Sequence, residues 1–168
     1  KEKFAGAEET YTLEAMMYDG VALQNGTSHY FGDHFAKAFH IEYLDADNTW
    51  KTPFQTSWGV STRMIGALIM THGDNHGLVL PPAIAPIKVI FIPIQENEEV
   101  NKVIDNLTHE LPEDIPFEID RSGKSPGYKF AQAEVRGIPL RIEVGLRDLE
   151  KNEVTITRRD TLEKKAVK

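Results

Sequence analysis

The hydrophobic pattern is easiest to read in the second half of the chain. From Ile87 to Ile94 the residues are mostly apolar and β-branched, which predicts a strand covered on both faces. Val100, Val103, Ile104, Leu107 and Leu111 then recur at helical spacing behind Asn97, a favoured helix-capping residue, and predict an amphipathic helix. Phe117 to Ile119, Leu140 to Val144 and Val154 to Thr157 read as further strands. Gly127 to Val135 reads as a second helix, closed by Arg136 and Gly137. Strand–helix–strand–helix–strand predicts a mostly parallel α/β sheet with right-handed crossovers. Such sheets bind ligands off the carboxyl ends of their strands.

The first half is more mixed. Leu13, Met16, Met17 and Val21 have helical spacing and predict a helix over Glu8 to Leu23, weakened at its end by Gly20. A short strand follows over Gly26 to Phe31, ending at Gly32, and Asp33 is placed to cap a short helix through Phe39. Ile41 to Leu44 reads as a strand, Asp45 to Asn48 as a turn, and Trp50 to Trp58 as a second extended segment. Met64, Ile65, Leu68 and Ile69 predict a helix over Ser61 to Thr71. Gly73 to Asn75 ends it, and Gly77 to Leu80 reads as a buried strand. Pro81, Pro82 and Pro86 then make a stiff connection, so the domain boundary is placed between residues 82 and 83.

Composition narrows the classes of function. The chain has 168 residues, of which 40% are hydrophobic and 27% charged, the balance of a globular protein. No apolar run approaches the ~20 residues of a membrane helix, and nothing marks secretion. A cytoplasmic location is the expectation, with no membrane partner. Cysteine is absent, which excludes disulfides, thiolate metal sites and a cysteine nucleophile. Asp and Glu number 26 against 19 Lys and Arg, a net charge of −7, so bulk charge does not draw this chain to DNA.

Four segments could carry chemistry. Gln24-Asn25-Gly26-Thr27-Ser28-His29 places an amide, a hydroxyl and an imidazole along an extended backbone, with Gly26 allowing close approach to it. The alternative is that these polar groups are satisfied locally. In Ser57-Trp58-Gly59-Val60-Ser61-Thr62-Arg63, an arginine enters the first turn of a helix, against the macrodipole. A phosphate gripped by the helix N–H groups and the guanidinium would justify it, as would a carboxylate in the same domain. His72 and His76 have metal-ligand spacing, but Gly73, Asp74 and Asn75 break the helix between them, so no metal is expected. Last, Asp120 to Phe130 is a basic loop at a strand end. Arg121, Lys124 and Lys129 could neutralise phosphates there, and Tyr128 or Phe130 could stack on a base, or the loop could simply be solvated. Its Gly123-Lys124-Ser125 lacks the spacing of a P-loop.

Five segments together resemble the prolyl-tRNA synthetase family, of the type found in archaea, eukaryotes and some bacteria. They are Lys3 to Ala7, Gly26 to Gly32, Thr56 to Arg63, His72 to Pro82, and Pro126 to Phe130 with Gly137 to Gly145. The resemblance implies the rear part of a class II synthetase catalytic domain, built on an antiparallel sheet, over residues 1–82. An anticodon-binding domain would follow over residues 83–168. The activity implied is a proline–tRNA ligase, which joins proline to ATP with Mg²⁺ on the triphosphate and moves the prolyl group to tRNA(Pro). By resemblance, Thr56 to Arg63 is the third class II signature and Arg63 the arginine on the ATP γ-phosphate. Gln24 and Thr27 would lie near the adenine and ribose. His29, Trp58 and Gly59 would line the proline pocket. Arg121, Lys124 and Lys129 would meet the tRNA, with Glu143 reading a base edge. On that reading, replacing Lys129 by alanine weakens tRNA binding and flattens its salt dependence.

The resemblance also implies a cytoplasmic homodimer. The second class II signature and the Thr-x-Glu loop on the proline nitrogen do not occur in the chain. It therefore reads as an internal segment that does not form prolyl-adenylate by itself. The other readings are a non-catalytic anticodon-binding module and a class II synthetase for another amino acid.

Overall fold

The computed structural model describes residues 3–168. They divide into two compact units on either side of the Thr71–His72 bond. In the first, β1 (Glu9–Met16) and β2 (Ala22–Gly32) form an antiparallel hairpin. Then come α1 (His34–Ala38), the short hairpin β3 (Tyr43–Leu44) and β4 (Trp50–Lys51), β5 (Gln55–Val60) and α2 (Arg63–His72). β5 pairs antiparallel with β2, giving a three-stranded sheet in the order β1-β2-β5.

The helix expected over Glu8 to Leu23 is instead this hairpin. Thr10, Tyr11 and Thr12 favour the extended backbone. Gly20 sits at φ +80°, which a helix cannot use. The Met17 N–H donates to the Val21 carbonyl at 2.9 Å, and the Val21 N–H to Asp19 Oδ1 at 3.0 Å, closing the turn. Asp33 does precede α1, but it makes no capping bond: its carboxylate pairs with Lys37 at 2.7 Å.

The register sorts the side chains of this sheet. Thr27 lies opposite Gly59, His29 opposite Ser57 and Thr10 opposite His29, so all of these share one face. Tyr11 and Trp58 both lie opposite Ser28 on the other face, and Val60 joins them opposite Gly26. That second face is apolar and exposed.

The second unit opens with a tight hairpin, β6 (Gly73–Asp74) and β7 (Gly77–Leu78). Next come β8 (Val89–Pro93), α3 (Glu98–Glu110), β9 (Phe117–Ile119), α4 (Pro126–Val135) and β10 (Leu140–Val144). A single turn α5 (Leu146–Leu149), β11 (Val154–Arg158) and β12 (Lys164–Val167) complete it. The sheet order is β12-β11-β10-β8-β9, parallel across β9, β8 and β10 and antiparallel across β11 and β12. The parallel half is as expected. β11 turns back because α5 is too short for a crossover, and β12, not expected from the sequence, extends that edge. On one face α3 packs Val100 and Ile104 against Val89, Phe91 and Val144; on the other, Ala133 and Phe130 of α4 meet Ile90 and Ile92. Asn97 caps α3 as expected, accepting from the Glu99 N–H at 2.8 Å.

The division between the two compact units falls after Thr71. The β6–β7 hairpin belongs to the second unit because its polar and backbone groups are used there. Asp74 accepts two hydrogen bonds from Arg159, at 2.6 and 2.8 Å. Gly77, at φ +131°, lies so close to the Val135 backbone that no side chain fits. Among the described residues, no helix is long and apolar enough to cross a membrane.

Candidate functional site

A cleft of about 320 Å³ opens where β2, β5 and the start of α2 meet, lined by Gln24, Asn25, Thr27, Gly59, Ser61 and Arg63 among others. The adjacent strands bring Thr27 level with Gly59, and the chain leaves β5 directly into α2, which begins with Arg63. The guanidinium is held by a neutral group: Nη1 donates to the Gln24 carbonyl at 3.1 Å. Among the described residues no carboxylate lies within ion-pair distance of Arg63, so the alternative of an internal salt bridge finds no partner among them. Its backbone N–H meets Ser61 Oγ at 3.3 Å. The cleft therefore offers a cation at a helix start, two hydroxyls and two amides, a polar set for an anion with sugar-like hydroxyls. Asn25 Oδ1 is buried without a hydrogen-bond partner among the described residues.

The two glycines act differently. A Cβ at Gly59 would enter open space, so the cleft can approach the backbone there. At Gly26 a Cβ would come within 3.2 Å of the Gly59 carbonyl and 3.3 Å of Val60 Cγ2. Gly26 lines the cleft and also serves strand packing.

His29 stands on the same sheet face as Thr27 and Gly59, half-buried, its Nδ1 3.0 Å from Thr10 Oγ1. Its ring packs against Phe4 at 4.7 Å between centroids. Trp58 does not join it. The register puts the Trp58 side chain on the opposite face, where it is 76% exposed. His29 and Trp58, both assigned to the proline pocket by resemblance, therefore stand on opposite faces of this sheet, because neighbouring strand positions alternate.

The basic loop lies at the carboxyl ends of β8 and β9, beside a cleft of about 180 Å³ lined by Pro93, Gln95, Asn101, Arg121, Ser122 and Lys124 among others. This is the edge where an open α/β sheet presents its site. Lys124 Nζ stands 5.8 Å from the centroid of the Tyr128 ring, and Tyr128 is exposed. Arg121 is exposed too, paired with Asp105. Ser125 caps α4, and Pro126 takes its first position.

Lys129 and Glu143 depart from expectation. Lys129 is only 4% exposed, and its Nζ donates to the Asp120 carbonyl at 2.9 Å. Burial opposes ionisation of Asp120. Hydrogen bonds from Ser122 and the charges of Lys129 and Arg136 outweigh it and hold that carboxyl below its usual range. Lys129 thus braces the loop from beneath, at the wall of the same cleft, with its ammonium engaged by a backbone carbonyl.

Glu143, 7% exposed, accepts from Arg141 Nε at 2.9 Å and from Thr157 Oγ1 at 2.9 Å. Arg141 also donates to Glu134 at 2.9 Å and covers the Phe130 ring at 4.3 Å. This is a buried ion network with no free base-reading edge. The signal for it was in the strand: Arg141 and Glu143, two apart, share a face. His76 Nδ1 stands 3.6 Å from Glu134, and no group of three potential metal ligands occurs among the described residues.

Residues 88–168 match the family model described as an anticodon binding domain. The relatives and solved structures that match nearly the whole chain are aminoacyl-tRNA synthetases. The proline–tRNA ligase of Agathobacter rectalis is 58% identical over 166 residues, 98% of this chain and 34% of that protein. Proline–tRNA ligase 2 of Bacillus cereus is 53% identical over 99% of this chain and 35% of that protein. The crystal structure of Cryptosporidium parvum prolyl-tRNA synthetase complexed with L-proline and AMP superposes with a TM-score of 0.90 at 43% identity, covering 99% of this chain and 37% of that one. Giardia lamblia prolyl-tRNA synthetase in complex with prolyl-adenylate gives 0.89 at 34% identity, covering 99% of this chain and 36% of that one. The chain belongs to the prolyl-tRNA synthetase family, and it spans 34–35% of the length of these curated relatives.

Proposed function

We propose that this chain supplies the nucleotide-facing rear of a proline-activating site and the anticodon-binding domain of a proline–tRNA ligase. The observation that carries the reading is the Arg63 guanidinium. It stands at the start of α2, tied to the Gln24 carbonyl, in a cleft with Thr27 and Gly59. An arginine so placed is satisfied geometrically but not electrically, and the terminal phosphate of ATP is the partner that fits. Thr27 and Gln24 are set to meet the nucleoside, with Asn25 Oδ1 a further acceptor. Among the described residues the cleft lining holds no carboxylate, so Mg²⁺ would arrive on the triphosphate oxygens instead of on a protein site. His29 would face the imino acid from the same side of the sheet.

In the second unit, Arg121 and Lys124 would meet tRNA(Pro) phosphates, and Tyr128 would stack on a base. A homodimer in the cytoplasm completes the reading. The test is ATP–pyrophosphate exchange by the complete polypeptide that carries these residues. Exchange that depends on proline, and not on threonine, glycine or histidine, supports the assignment. No exchange with any of them, alongside retained tRNA binding, would leave a non-catalytic anticodon-binding module.

A further inference from the structure

His29 is held at one nitrogen by a short relay that begins outside the cleft. Thr10 lies directly opposite it in the β1–β2 register, with Thr10 Oγ1 3.0 Å from His29 Nδ1. The same hydroxyl accepts a hydrogen bond from the Phe4 N–H at 3.3 Å. Phe4 and Phe31 pack on the imidazole with centroids at 4.7 and 6.0 Å, so the ring is not free to turn over. Among the described residues, His29 Nε2 has no hydrogen-bond partner.

The donor count decides the direction of the relay. The Phe4 N–H can only donate, so it takes one lone pair of the Thr10 oxygen. The hydroxyl still has a proton to place, and Nδ1 is the acceptor it reaches among the described residues. Were Nδ1 protonated instead, the oxygen would receive two N–H groups and its own proton would find no acceptor among the described residues. In a neutral imidazole one nitrogen accepts and the other donates, so a hydroxyl donating to Nδ1 leaves the proton on Nε2.

We propose that Thr10 is a positioning residue that holds His29 as its Nε2–H tautomer, so that it presents one directional N–H donor on the sheet face shared with Thr27 and Gly59. Such a donor suits an oxygen acceptor. On the proposed function, on which this inference rests for its ligand, that is the carboxyl-derived oxygen of the imino acid and not its ring ammonium, which is itself a donor.

The experiment uses the complete polypeptide with ring-¹⁵N-labelled histidine, the His29 signals being assigned by their loss in His29→Gln. The expected spectrum shows Nδ1 as the unprotonated nitrogen and Nε2 as the protonated one. Thr10→Val, which keeps the side-chain shape and removes the hydroxyl, should give a mixed tautomer population. It should lower kcat for proline-dependent ATP–pyrophosphate exchange about five- to tenfold, the loss of one hydrogen bond, with KM for ATP unchanged. Thr10→Ser should restore both. A proton on Nδ1 or a mixed population in the unaltered protein overturns the inference. So does a Thr10→Val protein with an unchanged tautomer or unchanged kcat, or a Thr10→Ser protein that behaves like Thr10→Val. If Thr10→Val does not fold, the spectra of the unaltered and Thr10→Ser proteins still decide. If the polypeptide shows no proline-dependent exchange, the proposed function falls, while the nitrogen spectrum continues to report on Thr10.

Discussion

Arg63 opposes the field of its own helix. A cation in the first turn costs about 0.3–1 kcal/mol, and its one hydrogen bond, to the neutral Gln24 carbonyl, leaves the charge without a counter-ion among the described residues. An incoming phosphate would reverse the sign. Arg63→Ala should therefore leave the fold unharmed and weaken the use of ATP. Loss of a charged hydrogen bond, about 1.5–3 kcal/mol, predicts a fall of roughly ten- to a hundredfold in kcat/KM for ATP. ATP–pyrophosphate exchange by the complete polypeptide measures it, and tRNA affinity should be unchanged. An unaltered kcat/KM would remove Arg63 from the nucleotide site. The position of this arginine was readable from sequence because strand, glycine and helix start follow one another within Ser57 to Arg63. The burial of Lys129 was readable as well, since it stands four residues before Ala133 on the face of α4 that meets the sheet. Its charge drew attention to a surface role, whereas its spacing marked the buried stripe.

Among the elements, the β6–β7 hairpin depends on one carboxylate. Asp74 accepts from both terminal nitrogens of Arg159 and from the His76 and Gly77 N–H groups. The Arg159 hydrogen bonds hold its carboxyl well below the usual range. Partial burial works against them, and the His76 N–H adds to them. A carboxyl depressed in the folded state contributes stability above its unfolded value, near pH 4, and loses it as pH falls through the lower folded value. Amide-exchange protection at His76 and Gly77 should exceed that of Asp74→Asn by a constant margin from neutral pH down to about 4, then by a shrinking margin below it. A margin unchanged at lower pH would show that Asp74 ionisation does not hold the hairpin.

This hairpin was legible from Gly73, Asp74 and Asn75, but its partner was not, because Arg159 lies 85 residues away and no local pattern encodes such a pairing. The β1–β2 hairpin was missed for a different reason. Leu13, Met16 and Met17 fit a helical stripe, and the Asp19-Gly20 turn was the signal against it.

Composition describes the whole molecule poorly, because it averages over two unlike surfaces. In the first unit the sheet face carrying Tyr11, Leu13, Trp58 and Val60 is uncovered, with each of the four more than half exposed. A hydrophobic fraction of 40% does not reveal that part of it is on the outside. In the second unit an acidic chain carries its useful positive charge locally, at the ends of β8 and β9. That distinction sets the expected salt response. A lysine that neutralises a phosphate displaces about one counterion, so its removal lowers the slope of log affinity against log salt by about one. Lys124 is exposed beside Tyr128 and should behave this way when changed to alanine: weaker binding to tRNA(Pro) at low salt, and a shallower slope. Lys129→Met keeps the buried stem and removes only the ammonium that holds the Asp120 carbonyl. It should lower the stability of the loop and of α4 while leaving the salt slope of the remaining folded protein intact. Titrations of both variants across a salt series separate the two roles. Equal slopes for Lys124→Ala and the unaltered protein would place the tRNA backbone away from this edge, and a shallower slope for Lys129→Met would mean that the loop opens on binding to expose a charge that the free chain keeps buried.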